Sequence, residues 1–200
     1  MLKKLFFVLL ILPSAAFAAT APRLIPNRDV DITYSMNPSV LHQGGAPVGL
    51  ALRQRLRYSA ALHMLRVDPP TPGMHVTIDY LTGRMSMIRD AQRSVLEMAA
   101  PPGVKSGPGG LPALAGVAGT VWSQAGHATV AGLACTDWQG KAANGTPITL
   151  CQTGDGVMLR LDVSGKEVLQ ATKVVFAPQP AALFTPPHGY TVMTLDQPHK

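Results

Sequence analysis

Glycine and proline fall between apolar runs along nearly the whole chain, and this spacing limits the fold more than any other feature. The 19 glycines and 18 prolines are not gathered in one tract. Such punctuation suits many short strands joined by turns. Apolar runs place expected strands at 31–36, 56–67, 74–80, 84–89 and 94–98, then at 128–138, 148–152, 157–163 and 168–176. No internal repeat of solenoid or propeller period is present. The widest break, 101–119, begins with a Gly/Pro-rich half that disfavours both helix and strand. Its second half can hold one or two helical turns over 111–117. Loops of this length serve as functional flaps or as mobile connections.

The N-terminus reads as a cleavable signal peptide. Lys3 and Lys4 precede an unbroken apolar run at 5–12, and Pro13 and Ser14 break it before Ala16-Phe17-Ala18, an A-x-A cleavage site. Eight apolar residues make a helix of about 12 Å, against the ~30 Å of a hydrocarbon core. Ala19 is therefore the expected first mature residue and the expected location is periplasmic or secreted. No cysteine stands at the mature start, which argues against lipid modification, and no later stretch is long and apolar enough to span a bilayer. The formal charge of +6 includes Lys3 and Lys4. The remaining basic residues mostly alternate with apolar ones and form no block, so a nucleic-acid partner has no support.

The middle of the chain supports a register. With Thr82-Gly83 and Ala91-Gln92 as two-residue turns, Tyr80 faces Met85, Ile78 faces Met87, Met87 faces Leu96 and Met85 faces Met98. One face of this meander then carries Val76, Ile78, Tyr80, Met85, Met87, Leu96 and Met98. The other carries His75, Thr77, Asp79, Ser86, Ile88, Val95 and Glu97. A one-residue slip would scramble both sets.

Cys135 and Cys151 are the only cysteines, and in an exported chain an even number implies a disulfide. A hairpin centred on Ala143 sets them directly opposite each other. Asn144-Gly145-Thr146 fits a glycosylation sequon and also a turn, and the turn reading is preferred. Asp155-Gly156 reads as a second hairpin turn.

Catalytic signatures are missing: there is no G-x-S-x-G, H-E-x-x-H, P-loop or Rossmann fingerprint. His42, His63, His75, His127, His188 and His199 are scattered, with no pair at metal-ligand spacing. Met85 and Met87, near Met98 and Met64, raise a Cu(I) thioether site as one alternative. Methionine as a flexible apolar filler is the plainer reading, and no cofactor or metal is expected. A Met-rich apolar face can also repack around acyl chains or apolar peptides.

The run 74–98 (MHVTIDYLTGRMSMIRDAQRSVLEM), with 130–138 (VAGLACTDW), 151–160 and 180–190 (PAALFTPPHGY), resembles exported bacterial proteins of a domain-of-unknown-function family. That family is similar to the periplasmic lipoprotein carriers and sigma-regulator sensors of the LolA, LolB and RseB type. The likeness covers roughly 29–193. It implies a mainly β fold: a curved antiparallel sheet forming an unclosed half-barrel, with one or two short covering helices or loops. It also implies a non-enzymatic binder of lipid or lipidated protein. The expected ligand-binding residues are the seven on the apolar face, and Leu111, Leu114 and Val117 are the expected cover. The expected organisation is a signal peptide at 1–18, a linker at 19–28, one half-barrel domain of eight or nine strands at 29–195 and a tail at 196–200. An envelope interaction or sensor module is the alternative function.

Overall fold

The computed structural model describes residues 21–23, 25–37, 52–100, 120–142 and 144–195. The expected signal peptide, the 101–119 loop with Leu111, Leu114 and Val117, and the 196–200 tail lie outside the described residues. Among the described residues, twelve strands form one sheet: β1 (Val30–Met36), β2 (Leu52–Ser59), β3 (Met64–Asp68), β4 (Met74–Asp79), β5 (Arg84–Arg89), β6 (Ser94–Ala99), β7 (Ser123–Val130), β8 (Leu133–Lys141), β9 (Pro147–Gln152), β10 (Met158–Val163), β11 (Lys166–Val175) and β12 (Thr191–Leu195). Their order is β12-β6-β5-β4-β3-β2-β1-β11-β10-β9-β8-β7, so the sheet has two ends and is not closed into a barrel. All pairings are antiparallel except that of β12 with β6. The mainly β, half-barrel class expected from the sequence is the class observed. The only helical element among the described residues is a 3-10 turn, Ala181–Leu183.

Three more strands are present than the sequence reading expected. The expected strand at 56–67 is a hairpin, because His63 takes a left-handed conformation (φ 51°) and turns the chain between β2 and β3. The run Ala60-Ala61-Leu62-His63 contains no glycine or proline to mark this. The expected strand at 128–138 is also a hairpin, turned at Ala131 (φ 50°) and Gly132 (φ 77°). Positive φ at both central residues matches the twist of the flanking strands. β12 is short and isolated in the sequence and was not expected.

The first predicted register moves by two residues. Ile78 pairs with Met85 and Val76 with Met87, because the turn takes four residues rather than two. Asp79 closes it: its Oδ1 accepts from the Leu81 and Thr82 amides, and Gly83 N–H donates to its carbonyl. Gly83 supplies the left-handed φ of 70°. An even shift leaves every side chain on its expected face. The second register, Met85 with Met98 and Met87 with Leu96, is as expected.

The sheet rolls so that its inner face encloses the core. One buried cluster joins Val30, Ile32, Leu56, Tyr58 and Leu65 from the first half of the chain with Trp138, Ile148, Leu150 and Leu161 from the second. Tyr34 is buried within it, and its hydroxyl donates to the Met158 carbonyl at 2.6 Å. Burial pushes the Tyr34 pKa up, so it stays a neutral donor. The Cys135–Cys151 bridge is formed, with Cα atoms 5.5 Å apart. Its hairpin is offset by two residues from expectation: Cys151 pairs with Asp137, and the bridge runs diagonally. The 144–146 turn is as read, with Thr146 N–H donating to Asn144 Oδ1 at 3.0 Å.

The N-terminal segment docks on the β9–β10 turn. Arg23 N–H donates to Gln152 Oε1, and Gln152 Nε2 donates back to the Arg23 carbonyl, at 2.7 and 2.8 Å. Gly156 (φ +85°) makes room for this segment, because a Cβ there would lie 2.8 Å from the Ile25 carbonyl.

Candidate functional site

Alternation along β3–β6 sorts the side chains onto two differently furnished faces. Val76, Ile78, Tyr80, Met85, Met87, Leu96 and Met98 all fall on the inner face, so the structure brings the seven sequence-predicted residues together. They are not equivalent. Ile78 is fully buried in the core cluster, and Val76, Tyr80 and Met85 pack against it. Met87, Leu96 and Met98 are half-buried and stand outside that cluster. Beyond them, Met193 pairs with Leu96 and Leu195 with Met98, both on exposed β12. The stripe thus grades from dry core at β4 to open rim at β12.

Tyr58 and Tyr80 close the deep end, with ring centroids 6.2 Å apart. Burial raises both pKa values, with the Asp29 charge adding to the shift at Tyr58 and Tyr58 to that at Tyr80. A polar residue missed by sequence reasoning sits at the shallow end. Arg89 follows Met85 and Met87 on the same side of β5, is exposed, and donates from Nη2 to Met87 Sδ at 3.7 Å. Strict alternation past Met87 was the signal for it.

Both ends of the connection between β6 and β7 lie on the core. Ala100 and Trp122 each pack against the buried cluster. Gly140 allows this approach, since a Cβ there would come within 3.1 Å of Trp122 Cε3 and of the Val121 carbonyl. An open cavity of about 770 Å³ adjoins the crossing, lined by Val121, Gln139, Lys141 and Ile148 among others. The copper alternative loses one of its ligands: Met64 pairs with Asp79 and belongs to the outer face. Among the described residues, no three His, Cys, Asp or Glu are grouped to hold a metal.

The outer face of the same strands is covered by the C-terminal strap, for which sequence reasoning assigned no role. The strap leaves β11, and Gln179 N–H donates to Asp29 Oδ2, while Asp29 Oδ1 accepts from Ala60 N–H. Arg66 Nη1 then donates to the Leu183 carbonyl at 2.9 Å. Phe184 is buried beside Met64, Thr77 and Ser86 around a cavity of about 300 Å³. Tyr190 reaches Asp90, and Thr191 N–H donates to the Arg93 carbonyl where β12 begins. Asp68 neutralises the guanidinium groups beneath. Burial alone would raise its pKa, but hydrogen bonds from Arg66 and Arg57 outweigh this and hold it below the usual carboxylate range.

His75 is also buried on this face. Burial is the largest cause of its lowered pKa, followed by the positive charge of Arg66; Asp90 and Asp68 act the other way, and Arg57 lowers it slightly. A depressed folded pKa means that stability is complete above the ordinary value of 6.5 and is lost as pH falls below it. The melting temperature of the wild type is therefore expected to fall more steeply than that of His75→Gln between neutral and mildly acidic buffer. Parallel curves would contradict this assignment.

The half-barrel is shared with several solved structures. An uncharacterised conserved protein from Thermus thermophilus superposes with a TM-score of 0.57 at 11% identity, over 84% of this chain and 91% of that one. MucB of Pseudomonas aeruginosa, solved with MucA, gives 0.51 at 16% identity over 84% of this chain and 58% of that one. PNGF-II gives 0.53 at 12% identity over 84% and 31%. MucB is of the RseB type, so the fold agrees with the resemblance drawn from the sequence. At these identities the likeness is one of fold. The chain spans a little over half of MucB and about a third of PNGF-II. No family model matches the chain, and no curated protein matches it.

Proposed function

We propose that this protein is an exported, periplasmic, non-enzymatic binder or carrier of an apolar ligand, lipid or lipidated protein, held on the inner face at Val76, Tyr80, Met85, Met87, Leu96 and Met98. Ile78 forms the floor. The observation that carries this reading is the state of Met87, Leu96 and Met98: apolar, flexible or branched, half-buried, and outside the core cluster. Methionine accommodates varied apolar shapes at little cost. Arg89 at the rim suits a ligand with an anionic polar end. The 101–119 connection is the cover, with Leu111, Leu114 and Val117 occupying the stripe when no ligand is bound. Its two core-packed anchors, Ala100 and Trp122, support that role. The second reading, an envelope interaction module, draws on the MucA/MucB complex formed by a protein of similar fold.

N-phenyl-1-naphthylamine, a dye that brightens in apolar surroundings, tests the proposal. Wild-type protein is expected to bind it, and Met87→Asp to lose about tenfold or more of the affinity, because the dye must then be buried beside a carboxylate. Removing residues 111–117 is expected to raise dye binding. A wild type that binds no dye with or without 111–117, while Met87→Asp merely melts earlier, would identify this face as core.

A further inference from the structure

The two ends of the sheet are protected unequally. β7, at one end, carries a bulge between Gln124 and Gly126, where the register with β8 shifts, and Gly126 has φ 152°. Bulges and glycines of this kind keep an edge from pairing with a further strand. β12, at the other end, has no such device. Its five residues, Thr-Val-Met-Thr-Leu, contain no charge and no proline, and its pairing with β6 runs without a register shift. Val192, Met193 and Leu195 are 54%, 50% and 54% exposed, so apolar side chains are half-exposed on both faces of the strand.

We propose that the outer edge of β12 takes up an extended peptide as a thirteenth strand. Two features select a peptide. Backbone donors and acceptors along the edge, which no further strand among the described residues pairs, reward a strand, whereas an acyl chain cannot use them. The apolar side chains flanking that edge, Met193 and Leu195 inside and Val192 outside, reward a strand with apolar residues on both faces. The net positive charge that remains once Lys3 and Lys4 are removed, 15 basic against 11 acidic residues, selects further: it disfavours a second copy of the chain and favours a neutral or acidic peptide. The inner stripe would continue across β12 into the peptide, but the proposal does not require a ligand in that stripe.

The test uses the intact mature protein and a fluorescein-labelled octapeptide of Val, Leu, Thr and Glu, read by anisotropy. Two further peptides carry N-methyl groups on alternate amides, one in each phase. In edge pairing, successive amides point alternately toward the sheet and toward solvent. One phase is therefore expected to bind like the parent and the other to lose most binding. Val192→Asp, on the outer face away from the inner stripe, is expected to weaken the parent about tenfold, with melting temperature and naphthylamine binding unchanged. The proposal is overturned if the parent peptide shows no binding at about 1 mM. It is equally overturned if both methylated phases bind alike, or if sedimentation shows that β12 pairs two copies instead. Loss of naphthylamine binding bears only on the inner-face proposal.

Discussion

Phe184→Ala is expected to cost about 3–5 kcal/mol in chemical denaturation, the range for removing a buried aromatic ring. Phe184 is only 2% exposed, although it stands in a segment with almost no regular structure. It is the one large apolar side chain that the strap between β11 and β12 buries. His75, Thr77, Ile88 and Val95 all lie buried on the outer face of β4–β6. Without the ring, the strap retains Arg66 on Leu183, Asp29 on Gln179 and Tyr190 on Asp90, of which the Tyr190 contact is exposed. Exposed polar contacts contribute little. Limited proteolysis of the variant is therefore expected to cut within 177–190 while the rest of the sheet persists. A cost below about 1 kcal/mol would show that the strap merely lies on the surface.

Removing the disulfide is the second large effect. The double variant Cys135→Ala, Cys151→Ala is expected to lose about 3 kcal/mol from the freed chain entropy of the loop. The two half-cystines are 4% and 0% exposed, so some packing is lost as well. Mild reductant is expected to leave the native protein oxidised, since both sulfurs belong to buried residues, and to act once denaturant opens the hairpin. Non-reducing peptide maps check the pairing itself. Two free thiols in freshly isolated protein, or a double variant as stable as the wild type, would contradict the assignment.

The sheet was largely legible because its faces are strictly alternating. Val76, Ile78, Met85, Met87, Leu96 and Met98 could be assigned to one face because matching the apolar sets across strands fixes whether each turn is even or odd, though not its length. An error of two residues at Tyr80–Gly83 left that assignment intact. Turns were legible where glycine or Asn-Gly marked them, as at 144–146, and illegible at 60–63, where His63 adopts a left-handed backbone under tertiary constraint. The disulfide followed from cysteine count and the expected compartment, while its register did not, because a shift of the hairpin centre from Ala143 to Asn144 moves every pair by two. The strap and β12 were the least legible. Pro178, Pro180, Pro186 and Pro187 erase any periodicity, and only burial of Phe184 shows that this stretch packs. Arg89 was overlooked for another reason: alternation past Met87 places it on the same side, but an arginine at a strand end is ordinarily solvated, and only the structure sets its guanidinium against the Met87 sulfur.

Native mass spectrometry of protein released from the periplasm by osmotic shock tests the central claim most directly. The binder account predicts a mature polypeptide beginning at Ala19 that carries an apolar adduct of acyl-lipid mass. Delipidation should remove that adduct and Met87→Asp should lack it. A bare polypeptide mass in the wild type, matched by Met87→Asp and by protein lacking 111–117, would contradict the claim.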